Sequence, residues 1–128
     1  MMVLGLHHAS VHVTNLERSI AFYEAVFELR VIERLALGFE QLAFLMAGKS
    51  RVELIADGTA RRDTGVVDHL AFEVDDLDGW VPRLRERGVR VLDEAPVEVA
   101  ALGARILFCL GPDGERIELF EGGVPVSV

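Results

Sequence analysis

Two histidines and two glutamates recur at matching places along this 128-residue chain, each inside an otherwise apolar stretch. His8 lies in Leu6-His7-His8-Ala9-Ser10-Val11-His12-Val13, and His69 in Val67-Asp68-His69-Leu70-Ala71-Phe72-Glu73-Val74. Glu53 lies in Arg51-Val52-Glu53-Leu54-Ile55, and Glu118 in Arg116-Ile117-Glu118-Leu119-Phe120. His69 follows His8 by 61 residues, and Glu118 follows Glu53 by 65. Two imidazoles and two carboxylates make a donor set suited to one divalent transition ion (nickel, zinc, cobalt, manganese or iron), with positions left for water or substrate. No thiolate joins them, so a closed structural zinc site is not expected. Each residue alone has a plainer reading. An arginine two positions upstream on the same face, Arg51 or Arg116, could neutralise each glutamate, and a strand histidine is ordinarily just hydrogen-bonded. The repetition of the pair is what favours chemistry: each half supplies one His and one Glu, and pseudo-symmetry would bring all four together.

The elements that must position them follow from periodicity. In a strand, successive side chains point to opposite faces. His8, Ser10 and His12 therefore share one face of a strand over residues 3–13. His69, Ala71 and Glu73 share a face of a strand over 66–74. Glu53 and Glu118 also point away from the face taken by Val52, Leu54, Ile117 and Leu119. His12 and its repeat equivalent Glu73 lie on the ligand face, on the order of 13 Å along the strand at ~3.3 Å per residue. There they either line the far end of a substrate pocket or form an ordinary pair at the sheet rim. His7 points the other way and reads as structural.

Thr14 and Asn15 are good N-caps for a helix whose apolar stripe is Leu16, Ile20, Tyr23, Val26 and Phe27. Strands follow at 29–37, 41–47 and 51–56, with turns at Gly38 and at Gly48-Lys49-Ser50. A polar linker covers 58–65. In the second half, Leu77, Trp80, Val81 and Leu84 mark a core-facing helix. Pro82 removes a backbone donor, so Asp78 is favoured as its cap over Asp75 and Asp76. Gly88 is a plausible stop. A strand at 89–92, an irregular stretch at 93–102, and strands at 104–110 and 115–121 complete the copy. The expected fold is α+β: two tandem β-α-β-β-β modules, 3–57 and 66–121, with a tail at 122–128. Together they would make one domain over 1–128, a curved and partly open barrel of antiparallel type around the metal.

Composition narrows the function. Apolar residues make up 51% of the chain, which argues against disorder. The formal charge of −8 argues against nucleic acid and anionic membranes as partners. The single Cys109, inside Ile106-Leu107-Phe108-Cys109-Leu110, reads as a small buried hydrophobe. There is no signal-peptide pattern and no apolar run long enough to span a bilayer, so a cytoplasmic protein is expected. Halves of about sixty residues are marginal alone and leave sheet edges to cover, which favours a homodimer.

The duplication, the opening His8-Ala9-Ser10-Val11-His12-Val13-Thr14-Asn15-Leu16-Glu17-Arg18-Ser19 followed by Phe22-Tyr23, the His69-Leu70-Ala71-Phe72-Glu73-Val74 strand and the closing Asp113-Gly114-Glu115-Arg116-Ile117-Glu118-Leu119 resemble the vicinal oxygen chelate superfamily. That superfamily includes glyoxalase I, methylmalonyl-CoA epimerase, fosfomycin-resistance thiol transferases, extradiol dioxygenases and bleomycin-binding proteins. The resemblance spans about residues 3–121 and places the family's metal positions on His8, Glu53, His69 and Glu118. Dioxygenases and fosfomycin enzymes lack a metal-binding glutamate at the position of Glu53, and epimerases usually carry glutamine there. The full His-Glu-His-Glu set is most similar to glyoxalase I.

The resemblance thus implies a metal-dependent lyase or isomerase acting on a small molecule such as a thiol adduct of a 2-oxoaldehyde. Glu118 or Glu53 would take a proton next to a carbonyl, and the metal would hold the resulting enediolate. Two alternatives stand beside it: an acyl-CoA epimerase, and a non-catalytic binding or resistance protein. One departure is visible. Glyoxalase I enzymes tend to carry an arginine for the glutathione carboxylate where this chain has His12, a poorer anion clamp at neutral pH.

Overall fold

The computed structural model describes residues 7–58 and 69–123. The first residues of both expected opening strands, most of the expected linker and the end of the expected tail lie outside them. The chain divides into two compact units, Met1–Arg62 and Asp63–Val128.

In the first unit the order is β1 (Ala9–His12), α1 (Leu16–Phe27), β2 (Arg30–Leu37), β3 (Glu40–Ala47) and β4 (Ser50–Ala56). Asn15 caps α1 as its sequence predicts: its side chain accepts from the Arg18 amide at 3.0 Å. The helix ends at Glu28, whose φ of 57° turns the chain out of the helix. The strands form one sheet in the order β1-β4-β3-β2. Helix α1 packs on β2, β3 and β4. Its stripe of Leu16, Ile20, Tyr23, Val26 and Phe27 is buried, as are Leu42, Leu45, Val52 and Leu54 of the sheet. Burying each such side chain contributes roughly 1.5–3 kcal/mol. That investment fixes which face of β1 and β4 is core, and alternation then sends His8, Ser10 and Glu53 to the other.

The second unit repeats the plan with β5 (Leu70–Glu73), α2 (Leu77–Glu86), β6 (Val97–Val99), a 3-10 turn (Ala100–Leu102), β7 (Ala104–Leu110) and β8 (Arg116–Gly122). Its sheet order is β5-β8-β7-β6. Helix α2 packs on β7 and β8, with Leu77, Val81, Leu84, Leu107, Cys109, Ile117 and Leu119 buried. The fold is α+β, with two four-stranded sheets and two helices among the described residues. Each sheet is mixed rather than antiparallel throughout, because β1–β4 and β5–β8 run parallel. Among the described residues each sheet is open, with β1 and β2 at the edges of one and β5 and β6 at the edges of the other.

Two sequence expectations need correction. The cap of α2 is Asp76 rather than Asp78; its carboxylate accepts from the Gly79 amide at 3.3 Å. Asp78 instead pairs with Arg105 at 2.6 Å, which holds its carboxyl below the usual range. Pro82 stays inside the helix at an exposed position. Residues 89–92 do not form a strand. They meet β7 only through the Val91–Cys109 bridge, flanked by amide bonds from Leu92 and Leu110. There the Asp93 carboxylate takes the Phe108 amide at 2.9 Å, a donor a further strand residue would have used. The ladder resumes as β6, inside the stretch read as irregular. Among the described residues, no helix is long and apolar enough to cross a membrane.

Candidate metal centre

In the first unit His8 sits just ahead of β1 and Glu53 in the middle of β4. The parallel register sets Ser10 beside Glu53. His8 Nε2 lies 3.6 Å from Glu53 Oε1. Glu53 is only 9% exposed, the one charged side chain in this unit's described core. Ser10 Oγ donates to the same carboxylate oxygen at 2.5 Å. Glu53 thus meets His8 and Ser10, where the sequence also offered Arg51.

The second unit repeats the pair. His69 Nε2 lies 3.5 Å from Glu118 Oε1. Arg116, the plainer partner, has its guanidinium 4.5 Å over the Phe108 ring.

An aromatic residue completes each pair, and neither was singled out in the sequence. Phe44 is the cross-strand partner of Glu53 on β3, and Phe108 that of Glu118 on β7. The His8 and Phe44 rings meet edge to face at 5.2 Å, and so do the His69 and Phe108 rings. A phenyl edge against an imidazole restricts ring rotation and keeps that side of the pair apolar. The available signal was alternation: Phe44 and Phe108 fall between the buried positions Ala43 and Leu45, and Leu107 and Cys109.

The donor geometry fits a divalent ion. Separations of 3.5 and 3.6 Å are too long for hydrogen bonds. They are close to the roughly 3–3.4 Å between neighbouring ligands whose bonds to a metal are ~2.1 Å. An imidazole nitrogen and a carboxylate oxygen facing each other in this way have the spacing of one edge of a coordination shell. Each unit has one such pair. Among the described residues, no group of three or more His, Cys, Asp or Glu side chains gathers to hold an ion.

The other candidates separate. His12 pairs with Asp57, just past the end of β4, with Nε2 to Oδ1 at 2.9 Å. Asp57 looked like the end of a module, so its pairing was not legible. Glu73 is exposed on β5, opposite Phe120 of β8. His7 Nδ1 lies 2.9 Å from His8 Nδ1. Cys109 faces the core; burial, with Glu115 nearby, pushes its thiol up to about 12, so it supplies neither ligand nor nucleophile at neutral pH.

Residues 5–119 match the model of the Glyoxalase/Bleomycin resistance protein/Dioxygenase superfamily. The chain belongs to that superfamily. Among its relatives, the uncharacterized protein YwbC of Bacillus subtilis is 30% identical, over 94% of this chain and 99% of its own. The lactoylglutathione lyase of Neisseria meningitidis is 31% identical, over 92% and 91%. Human mitochondrial methylmalonyl-CoA epimerase is 28% identical, over 89% and 72%. Among solved structures, a glyoxylase/bleomycin resistance protein/dioxygenase domain from Frankia superposes with a TM-score of 0.81 at 23% identity, covering 94% of this chain and 99% of that one. Superfamily membership and fold are therefore settled. Relatives at about this identity carry different activities, so the reaction must be argued from the side chains.

Proposed function

We propose that the protein is a metal-dependent lyase or isomerase of the glyoxalase I type, binding one divalent ion per site through His8, Glu53, His69 and Glu118. The observation that carries the reading is the duplicated His–Glu pair, 3.6 Å apart in one module and 3.5 Å in the other, each beside a phenylalanine. Stability alone does not call for two carboxylates inside apolar strands, since burying an ion costs several kcal/mol unless it is well compensated. When bound, the ion would act as a Lewis acid on two neighbouring substrate oxygens and on the negative charge that develops there.

The chain's own residues do the rest. His8 and His69 anchor the site, with Phe44 and Phe108 limiting water beside them. Glu118 takes the proton from the carbon next to a substrate carbonyl: the C–H bond breaks, an O–H bond forms on the carboxyl, and the electron pair moves toward the substrate oxygen. The same carboxyl returns the proton to the neighbouring carbon. Glu53 is the more permanent ligand. The substrate is a small molecule, with a thiol adduct of a 2-oxoaldehyde the leading class. His12, held by Asp57 at 2.9 Å, argues against an anionic group docking at that end of the module. A homodimer in the cytoplasm belongs to the same proposal, and sedimentation at micromolar concentration tests the dimer.

An epimerase of an α-substituted acyl thioester would use the same proton transfer, and the epimerase relative keeps that reading open. The test is a screen of cobalt- or nickel-loaded protein against thiol–2-oxoaldehyde adducts and acyl-CoA esters. The glyoxalase reading expects turnover of an adduct that Glu118→Gln removes. Turnover of acyl-CoA esters alone selects the epimerase, and no turnover with tight binding of an apolar compound selects a sequestering protein.

A further inference from the structure

The repeat makes Glu53 and Glu118 equivalent in position, yet one neighbour makes them unequal. Across the parallel β1–β4 pair the register partner of Glu53 is Ser10, and Ser10 Oγ donates to Glu53 Oε1 at 2.5 Å. Across β5–β8 the register partner of Glu118 is Ala71, which has no side-chain donor. Each glutamate also faces a histidine, at 3.6 or 3.5 Å, whose ring lies 5.2 Å from a phenylalanine; farther from the carboxylates the modules differ again, with Arg116 over Phe108 in one and His7 beside His8 in the other. The hydroxyl is thus a difference between the modules at the carboxylate itself.

A hydrogen bond from a hydroxyl to a carboxylate is charge-assisted and among the stronger kinds. A carboxylate oxygen has a second lone pair, so it can accept from a hydroxyl and still face an ion. Groups that hydrogen-bond a ligand fix its orientation, and losing one typically costs about 10–100-fold in metal affinity or activity. We propose that Ser10 is a positioning residue that pins Glu53 as the permanent ligand, while Ala71 leaves Glu118 free to detach. The one-residue difference gives a duplicated site a direction: the substrate displaces the unpinned carboxylate, and proton transfer runs on that side. The inference rests on the four-ligand reading above and assigns unlike behaviour to its two glutamates.

The experiment is a calorimetric titration of the chelator-stripped full chain with cobalt alone, paired with the visible spectrum of the cobalt form. The variants are Ser10→Ala, Ser10→Thr and Ala71→Ser, and circular dichroism of each metal-free protein checks its fold. Ser10→Ala is expected to bind about tenfold more weakly and to alter the cobalt spectrum, while Ser10→Thr keeps the hydroxyl and restores both. Ala71→Ser gives Glu118 the donor it lacks and is expected to bind severalfold more tightly. Wild-type protein that takes up no cobalt overturns the four-ligand reading and this inference with it. Wild-type binding matched by Ser10→Ala overturns the inference alone. Ala71→Ser without tighter binding overturns the assignment of Glu118 as the looser ligand. If Ser10→Ala fails to fold, the Ala71→Ser result still decides.

Discussion

Replacing Glu53 by glutamine should stabilise the metal-free protein and weaken it relative to wild type once metal is added. The substitution keeps the side chain's shape and leaves an oxygen for Ser10 but removes the charge. Glu53 is 9% exposed, with a hydrogen bond from Ser10 and the His8 nitrogen at 3.6 Å, too far for another. Burying the ion costs several kcal/mol. A single hydrogen bond to a charged group returns about 1.5–3 kcal/mol. The net is unfavourable to the native state by about 1 kcal/mol or more, so Glu53→Gln should melt about 4 °C higher without metal. With free cobalt at a hundred times its dissociation constant, wild type gains about 2.7 kcal/mol. Glu53→Gln has lost a ligand and gains far less, so the order of stability reverses. Thermal and urea unfolding, each with chelator and with excess cobalt at one protein concentration, measure the crossing. If Glu53→Gln is less stable by 1 kcal/mol or more without metal, the carboxylate is a structural partner and the reasoning fails.

Further outcomes follow from the packing. Cys109 should resist thiol reagents in the folded protein at pH 8 and react fully after unfolding. Because burial raises its folded value from 9.0 to about 12, stability is intact below pH 9 and falls as pH rises between the two. The loss at pH 10 is on the order of 1 kcal/mol by linkage, and a flat unfolding free energy from pH 8 to 10 would contradict the burial argument. Gly122→Ala should cost about 1–3 kcal/mol in urea unfolding, because its φ is +98° and a Cβ would sit 2.7 Å from the Gly103 carbonyl oxygen. Gly48→Ala, at φ +61° in open space, should cost only about 1 kcal/mol.

What the sequence disclosed was whatever repeats locally. The His–Glu pairs were legible because period-two alternation puts each residue on a known face and the duplication states the pattern twice. Asn15 was legible because capping needs only three residues. Cross-strand neighbours were not, since register is set by the whole sheet. Phe44, Phe108 and Ser10 became neighbours of the glutamates only when β3, β7 and β1 took their places. Asp57 was hidden by its position at a module end. The strand expected at 89–92 was displaced to β6 because the Asp93 side chain intercepts a backbone donor, a competition that strand propensity does not register. Capping of α2 by Asp76 was ambiguous because three aspartates stand within four residues, and Arg105 recruits one of them.

The proposed function requires His8, Glu53, His69 and Glu118 to hold one ion. Metal analysis after cobalt loading and desalting tests it on wild type, His8→Ala and His69→Ala. One cobalt per chain is predicted, with either substitution lowering the content to near zero, although each touches only one module. Two cobalts per chain, with each substitution removing only one of them, would mean that the halves bind separately; no cobalt at all would mean that the pairs are not metal ligands.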